Sequence, residues 1–314
     1  MNEGLLDAAP HRKRDETVPK RGTAARREAL WGYFFISPWI LGFVVFNLFP
    51  ILTVLYLGFT EYAVLTPPEW VGLKNYVKMF SDDRLFFTSL YNTLYYIALR
   101  IPTWLIFGLG LAMLLNRKIL GITGLRAAFY LPTIIPVVAS AVIWMWLLNP
   151  QVGFLNPVLR EMGINAPNWL RDQTWAKPAI VALGVWQVGQ TMMIFLAGLQ
   201  EIPDVLYEAA EIDGANPIQK FIHVTLPMMT PIIYFNTVTG VISAFQVFGF
   251  AFIATGGGPV NSTLFYVLYL YRQGFEFLHM GYASAMAVVL FILILALTIV
   301  VVRTSDKWVQ YERI

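Results

Sequence analysis

Six side chains suited to recognising a solute stand in stretches that are otherwise apolar: Arg100, Trp186, Gln187, Gln190, Ser243 and Gln246. Gln187 and Gln190 lie three residues apart, so a helix presents both on one face, and Ser243 and Gln246 repeat the spacing. Uncharged hydrogen-bonding groups beside the indole of Trp186 suit a neutral polyhydroxy ligand, because aromatic rings stack on sugar faces. The same glutamines equally suit hydrogen bonding between helices, worth about 0.6 kcal/mol each inside a membrane. Both readings stand at this point. Arg100 sits near the middle of its apolar stretch, next to Pro102. A charge at that depth costs about 2.5–3.5 kcal/mol, so it must face protein or water. It is either a gate or path residue, or the structural partner of a polar group on a neighbouring helix.

No residues point to catalysis. The chain has no cysteine, and its three histidines, His11, His223 and His279, lie in separate segments. No Asp or Glu falls inside an apolar stretch, so neither a nucleophile–base pair, a metal site nor a proton- or sodium-coupling carboxylate is available there. A secondary transporter is the weaker alternative for that reason. The run Thr255-Gly256-Gly257-Gly258-Pro259 lacks the Lys-Ser/Thr of a phosphate-binding loop and reads as an external turn. The chain is not expected to be an enzyme or to hold a cofactor of its own.

The elements that must position these residues are transmembrane. Hydrophobic residues make up 57% of the 314, charged residues only 13%, and mean hydropathy is +0.60. Soluble domains average about 25% charged. Six spans of about 20 residues or more are expected at about 33–60, 86–115, 127–148, 178–200, 228–254 and 282–302. Pro132 and Pro136 should kink the third. Residues 1–31 read as a disordered basic tail, 32–303 as the membrane domain, and 304–314 as a short tail. Net charge is only +3, which gives no support for nucleic-acid binding.

Between the fourth and fifth spans lies a charged island, 201–227, in which Glu201, Asp204, Glu208, Glu211 and Asp213 accompany the single cation Lys220. Pro203 suits a first helical turn, and Gly214 suits the position just past a helix end. Asn216, Pro217 and Gln219 form the pattern of a capping box that opens a second helix, with Pro227 stopping it.

Glu208-Ala209-Ala210, Asp213-Gly214-Ala215, Phe221 and Leu226-Pro227 resemble the EAA loop of binding-protein-dependent ABC importer permeases. Gly72-Leu73-Lys74-Asn75-Tyr76 after the first span and the Gly-Gly-Pro turn before the last resemble the same family. The resemblance covers about 31–303 and is similar to the carbohydrate-uptake branch, closer to its glycerol-phosphate and multiple-sugar members than to the maltose type, since no large external insertion is present. It implies an all-α membrane fold of type I importer architecture. Glu208, Ala209, Ala210, Asp213, Gly214, Ala215, Phe221, Leu226 and Pro227 would then form the cytoplasmic coupling helix and its flank. The implied partners are two copies of an ABC ATPase holding ATP and Mg, an extracytoplasmic solute-binding protein and a second permease, with a different chain favoured. The family's pocket is formed by the spans carrying Gln187 and Gln190. The implied cargo is a sugar or oligosaccharide. A phosphorylated polyol such as glycerol 3-phosphate is the alternative, and it would need cations where only Arg100 is available.

Six spans put both termini on one side of the inner membrane. Fourteen of the 22 Lys and Arg residues lie on that side, seven on the other, with Arg100 inside a span. Lys20, Arg21, Arg26 and Arg27, together with the dense Arg117–Arg126 loop, make this side cytoplasmic. The island shares it.

Overall fold

A computed structural model describes residues 23–117 and 119–310. The tail over 1–22, Lys118 and residues 311–314 lie outside it. The chain divides into two compact units, Met1–Thr53 and Val54–Ile314.

In the first unit, α1 (Thr23–Phe43) begins well before the expected span, so 23–31 are helical and not part of a disordered tail. Ala24, Ala25, Arg26, Arg27, Glu28, Ala29 and Leu30 are all good helix formers, and an apolar helix extends readily through them into water. A π-helical turn, Val44–Leu48, leads to α2 (Phe49–Leu57).

The second unit is a helical bundle with one small hairpin, β1 (Thr60–Glu61) and β2 (Glu69–Trp70), which pair antiparallel with Thr60 opposite Trp70. After α3 (Lys74–Ser81) comes α4 (Arg84–Leu115). The remaining elements are α5 (Ile122–Tyr130), α6 (Val137–Leu147), α7 (Leu155–Glu161), α8 (Ala176–Trp186), α9 (Gly189–Glu201), α10 (Asp204–Ile212), α11 (Pro217–Lys220), α12 (Leu226–Met228), α13 (Thr230–Phe245), α14 (Tyr266–Tyr271) and α15 (Met280–Ser305).

Among the described residues, three helical stretches are long and apolar enough to cross a membrane unbroken: Ala25–Leu57, Arg84–Leu115 and Met280–Ser305. Three bent pairs bring the number to six when each is one span, and each bend has a local cause. The third span starts at Ile122 and turns by 98° before α6. Pro132 and Pro136 remove amide donors there, and Thr133 Oγ1 donates to the carbonyl of Tyr130 at 2.6 Å. The fourth bends by 49° at Gln187-Val188, where no proline signals it. The second island helix does not stop at Pro227 as expected but runs on into the fifth span. Helical structure passes through a π-turn, Phe221–Thr225, and α12, then bends by 63° at Met229. Pro231 lies in the first turn beyond this bend, and Thr230 Oγ1 supplies the hydrogen bond to the Pro227 carbonyl at 2.7 Å. In the same span α13 closes at Phe245, and after a short break helical structure resumes and ends in a π-turn, Ala251–Thr255.

The stretch after the glycine turn is a packed part of the bundle. Leu264, Phe265, Tyr266, Leu268 and Tyr269 are buried. Tyr266 hydrogen-bonds through its amide to Thr93 Oγ1 and through its hydroxyl to the Met286 carbonyl, both at 2.8 Å. Residues too few to span a bilayer still carry enough aromatic surface to fill the space between α4 and α15.

Asp83 fastens this region. One carboxylate oxygen caps α4 by accepting from the Phe86 amide at 3.0 Å, and the other accepts from Tyr269 at 2.7 Å and Tyr282 at 2.5 Å. Asp83→Ala removes the cap and leaves two hydroxyls without their acceptor. It should lower stability by about 2–4 kcal/mol, seen as a fall in Tm of the detergent-purified protein. An unchanged Tm would show that water replaces the carboxylate.

Candidate functional site

Two places in the bundle gather the residues singled out by sequence. The first is a cleft of about 380 Å³ between α4, the turn after α5, α9 and α13, lined by Arg100, Trp104, Thr133, Gln187, Gln190, Thr191, Ile194, Phe235, Asn236, Thr239 and Ser243. Arg100, Gln187, Gln190 and Ser243 therefore meet although they come from three spans. Helix α4 packs against α8, α9 and α13, which is what brings Arg100 to the other three.

Gln187 combines the two roles left open by sequence. It lines the cleft, and its amide nitrogen donates to Ser140 Oγ on α6 at 3.3 Å. Gln190 is exposed on the cleft wall. Gly189 between them permits the third and fourth spans to touch. A Cβ there would stand 2.6 Å from the Phe129 carbonyl oxygen and 2.8 Å from the Tyr130 Cα.

Two expected residues are elsewhere. Trp186 is turned away from the cleft and packs edge-on against Trp144, with centroids 5.8 Å apart. Consecutive helical residues point about 100° apart, so it cannot share the Gln187 face. Gln246 lies beyond the end of α13, where backbone φ −92° and ψ 18° break the helical spacing from Ser243. The aromatic wall is Trp104 instead, one turn from Arg100 on α4. That signal was present in the sequence as an i, i+4 pair. Asn236, Thr239 and Ser243 likewise recur at helical spacing.

The second place is the island. Helix α10 ends in a left-handed Gly214, φ +77°, and the Ala215 amide reaches back to the Ala210 carbonyl at 2.9 Å, the long bond of a Schellman cap. The capping box of α11 is complete, with Gln219 amide to Asn216 Oδ1 at 2.9 Å and Asn216 amide to Gln219 Oε1 at 2.8 Å. Glu208, Ala209, Asp213 and Gly214 are exposed, while Ala210, Ala215, Phe221, Leu226 and Pro227 are half-buried. Lys220 pairs with Glu211 at 2.6 Å. Its hydrogen bond, then its charge, hold the Glu211 carboxyl below the usual carboxylate range, so the pair is intact at neutral pH and is lost as pH falls through that lowered value. The acids and small residues are not the whole surface. Val205, Ile212 and Ile218 stand 69%, 87% and 70% exposed, an apolar component that attention to the charged pattern missed.

A physical path joins the two places. Helix α9 starts beside the cleft and ends at the island, roughly 16 Å away at about 1.5 Å per residue. Helix α13 returns from the island to Asn236, Thr239 and Ser243. Between them a core of Ala112, Leu115, Met192, Phe195, Leu196, Leu199 and Met229 is closely packed, with Tyr207 of α10 against it. The Tyr207 hydroxyl meets Thr225 Oγ1 at 3.0 Å. Such a core moves as a block because close-packed interiors are nearly incompressible.

A family model described as the binding-protein-dependent transport system inner membrane component matches residues 104–311. The chain is 42% identical over 297 residues to the probable ABC transporter permease protein YesP of Bacillus subtilis, covering 93% of this chain and 96% of that one. It is 32% identical over 282 residues to the arabinooligosaccharides transport system permease protein AraP of the same organism, covering 88% of each. Among solved structures, a bacterial ABC transporter involved in import of the acidic polysaccharide alginate has a chain of the same fold. The TM-score is 0.80 at 23% identity, over 91% of this chain and 98% of that one.

Proposed function

Since the chain belongs to the family of binding-protein-dependent transport system inner membrane components, we propose that it passes a sugar or oligosaccharide through the cleft between α4, α9 and α13. The cleft is the observation that carries this reading. Its neutral hydrogen-bonding groups and the Trp104 ring are the chemistry a sugar requires, and the relative AraP serves arabinooligosaccharides by name. A second permease, favoured to be a different chain, closes the other half of the path. A solute-binding protein delivers the cargo from outside, and two ATPase subunits bind ATP and Mg, for which this chain has no phosphate-binding loop.

The island faces the cytoplasm, with both termini. Glu208 and Asp213 supply polar contacts to the ATPase, and the exposed apolar residues Val205, Ile212 and Ile218 supply the buried area of the docked surface. ATP-driven closure of the two ATPases draws the two islands together. The core shared by α9 and α13 carries that displacement to the cleft, which opens outward to receive cargo and inward to release it. The motion needs island contacts that differ between the two states.

The double variant Gln187→Ala, Gln190→Ala tests the cleft. Two lost sugar hydrogen bonds of about 1 kcal/mol each raise the KM for uptake by about tenfold or more. Gln246→Ala, outside the cleft, serves as the control. Uptake that survives the double change unaltered removes both glutamines from the path.

A further inference from the structure

Arg100 is held in the cleft without a counter-charge. Its guanidinium lies 5.3 Å from the centre of the Trp104 ring and 5.9 Å from that of Tyr96. Its single hydrogen bond among the described residues is a long one, from Nη1 to Ser243 Oγ at 3.5 Å. Nε is buried and has no partner. No carboxylate of the described residues comes within 4.0 Å, and every other polar group lining the cleft is neutral. Gly184 keeps this position open, since a Cβ there would be 2.9 Å from Nε. Two aromatic faces support the cation without neutralising it.

From this arrangement we infer that the cargo is an acidic sugar, an oligosaccharide carrying a singly charged acid of the uronate kind, and that Arg100 is the residue that selects for it. The inference rests on the cleft being the sugar path. A planar carboxylate accepts two parallel hydrogen bonds from the guanidinium fork, and Arg100 has unused donors for them. A phosphate dianion would call for a second cation, and no other Lys or Arg of the described residues lines the cleft. The same Trp104 ring that flanks the guanidinium offers the sugar a stacking face, while the exposed side chains of Gln190 and Thr239 remain for its hydroxyls. A neutral sugar would displace water from the half-buried guanidinium without offering it a counter-charge, at a depth where mismatch is costly.

The test begins with the cognate binding protein. It is screened by thermal shift against galacturonate, glucuronate and mannuronate oligosaccharides and their carboxyl-reduced, neutral counterparts. Stabilisation by a uronate oligosaccharide and not by its neutral counterpart is expected. Stabilisation by neutral sugars alone overturns the inference and leaves the sugar reading standing, whereas stabilisation by none of them overturns that reading as well. The uronate found is then given to the complete importer in proteoliposomes. Arg100→Gln lowers its uptake about tenfold or more, and Arg100→Lys recovers part of it. Undiminished uptake by Arg100→Gln overturns the inference.

Discussion

Gly214→Val abolishes ATP-driven uptake while the chain still reaches the membrane. The backbone supplies the reason. Gly214 sits at φ +77°, a conformation that costs an ordinary L residue about 1–2 kcal/mol and a β-branched one more. The Schellman cap linking Ala215 to Ala210 depends on that conformation, and so does the angle at which α11 leaves α10. The sequence pattern places the glycine just past a helix end, and the structure gives it that role. Within this chain no atom lies within 4 Å of a Cβ placed there, so any packing constraint belongs to the ATPase side. Gly214→Asn separates the two causes, because asparagine tolerates the left-handed region. Retention of substantial uptake by Asn and its loss in Val identifies the turn. Equal loss in both identifies a contact with the partner. Full uptake in Gly214→Val would remove the island from the coupling path.

Gly189→Val produces the second large effect, by a different route. Its added atoms meet the Phe129 carbonyl oxygen and the Tyr130 Cα, and backbone cannot rotate out of the way as a side chain can. The third span must then withdraw from the fourth, taking Thr133 with it from the cleft wall and pulling Gln187 from Ser140. Overpacking of this kind costs about 1–3 kcal/mol. The expected result is a lowered Tm in detergent together with uptake reduced to a small fraction of wild type. An unchanged Tm with normal uptake would mean that the third span yields freely and does not shape the cleft.

The island was the most legible part of the chain because its signals are local. Asn216, Pro217 and Gln219 form the capping box their spacing predicts, and Gly214 adopts the left-handed cap. The cleft was half legible. Rarity of polar residues in apolar spans singled out Gln187, Gln190, Ser243 and Arg100, since any such residue needs a reason to be there. Gln246 falls outside the cleft because the periodicity did not show the break after Phe245, and Trp186 because it points about 100° away from its neighbour Gln187. The re-entrant aromatic stretch around Tyr266 was not legible, because its partners, Thr93 and Met286, are distant in sequence. Arg100 shows the same limit. Its depth and cost were plain from sequence, but only tertiary packing placed it in the cleft with no carboxylate beside it.

ATP-driven passage through this chain requires the binding protein, the second permease and the ATPase together. The most direct measurement is uptake of a sugar delivered by the binding protein into proteoliposomes holding this chain, the second permease and the ATPase, with ATP inside and vanadate as inhibitor. Uptake that requires every component and stops with vanadate is the predicted result. Uptake that proceeds without the ATPase, driven by a proton or sodium gradient, would contradict it.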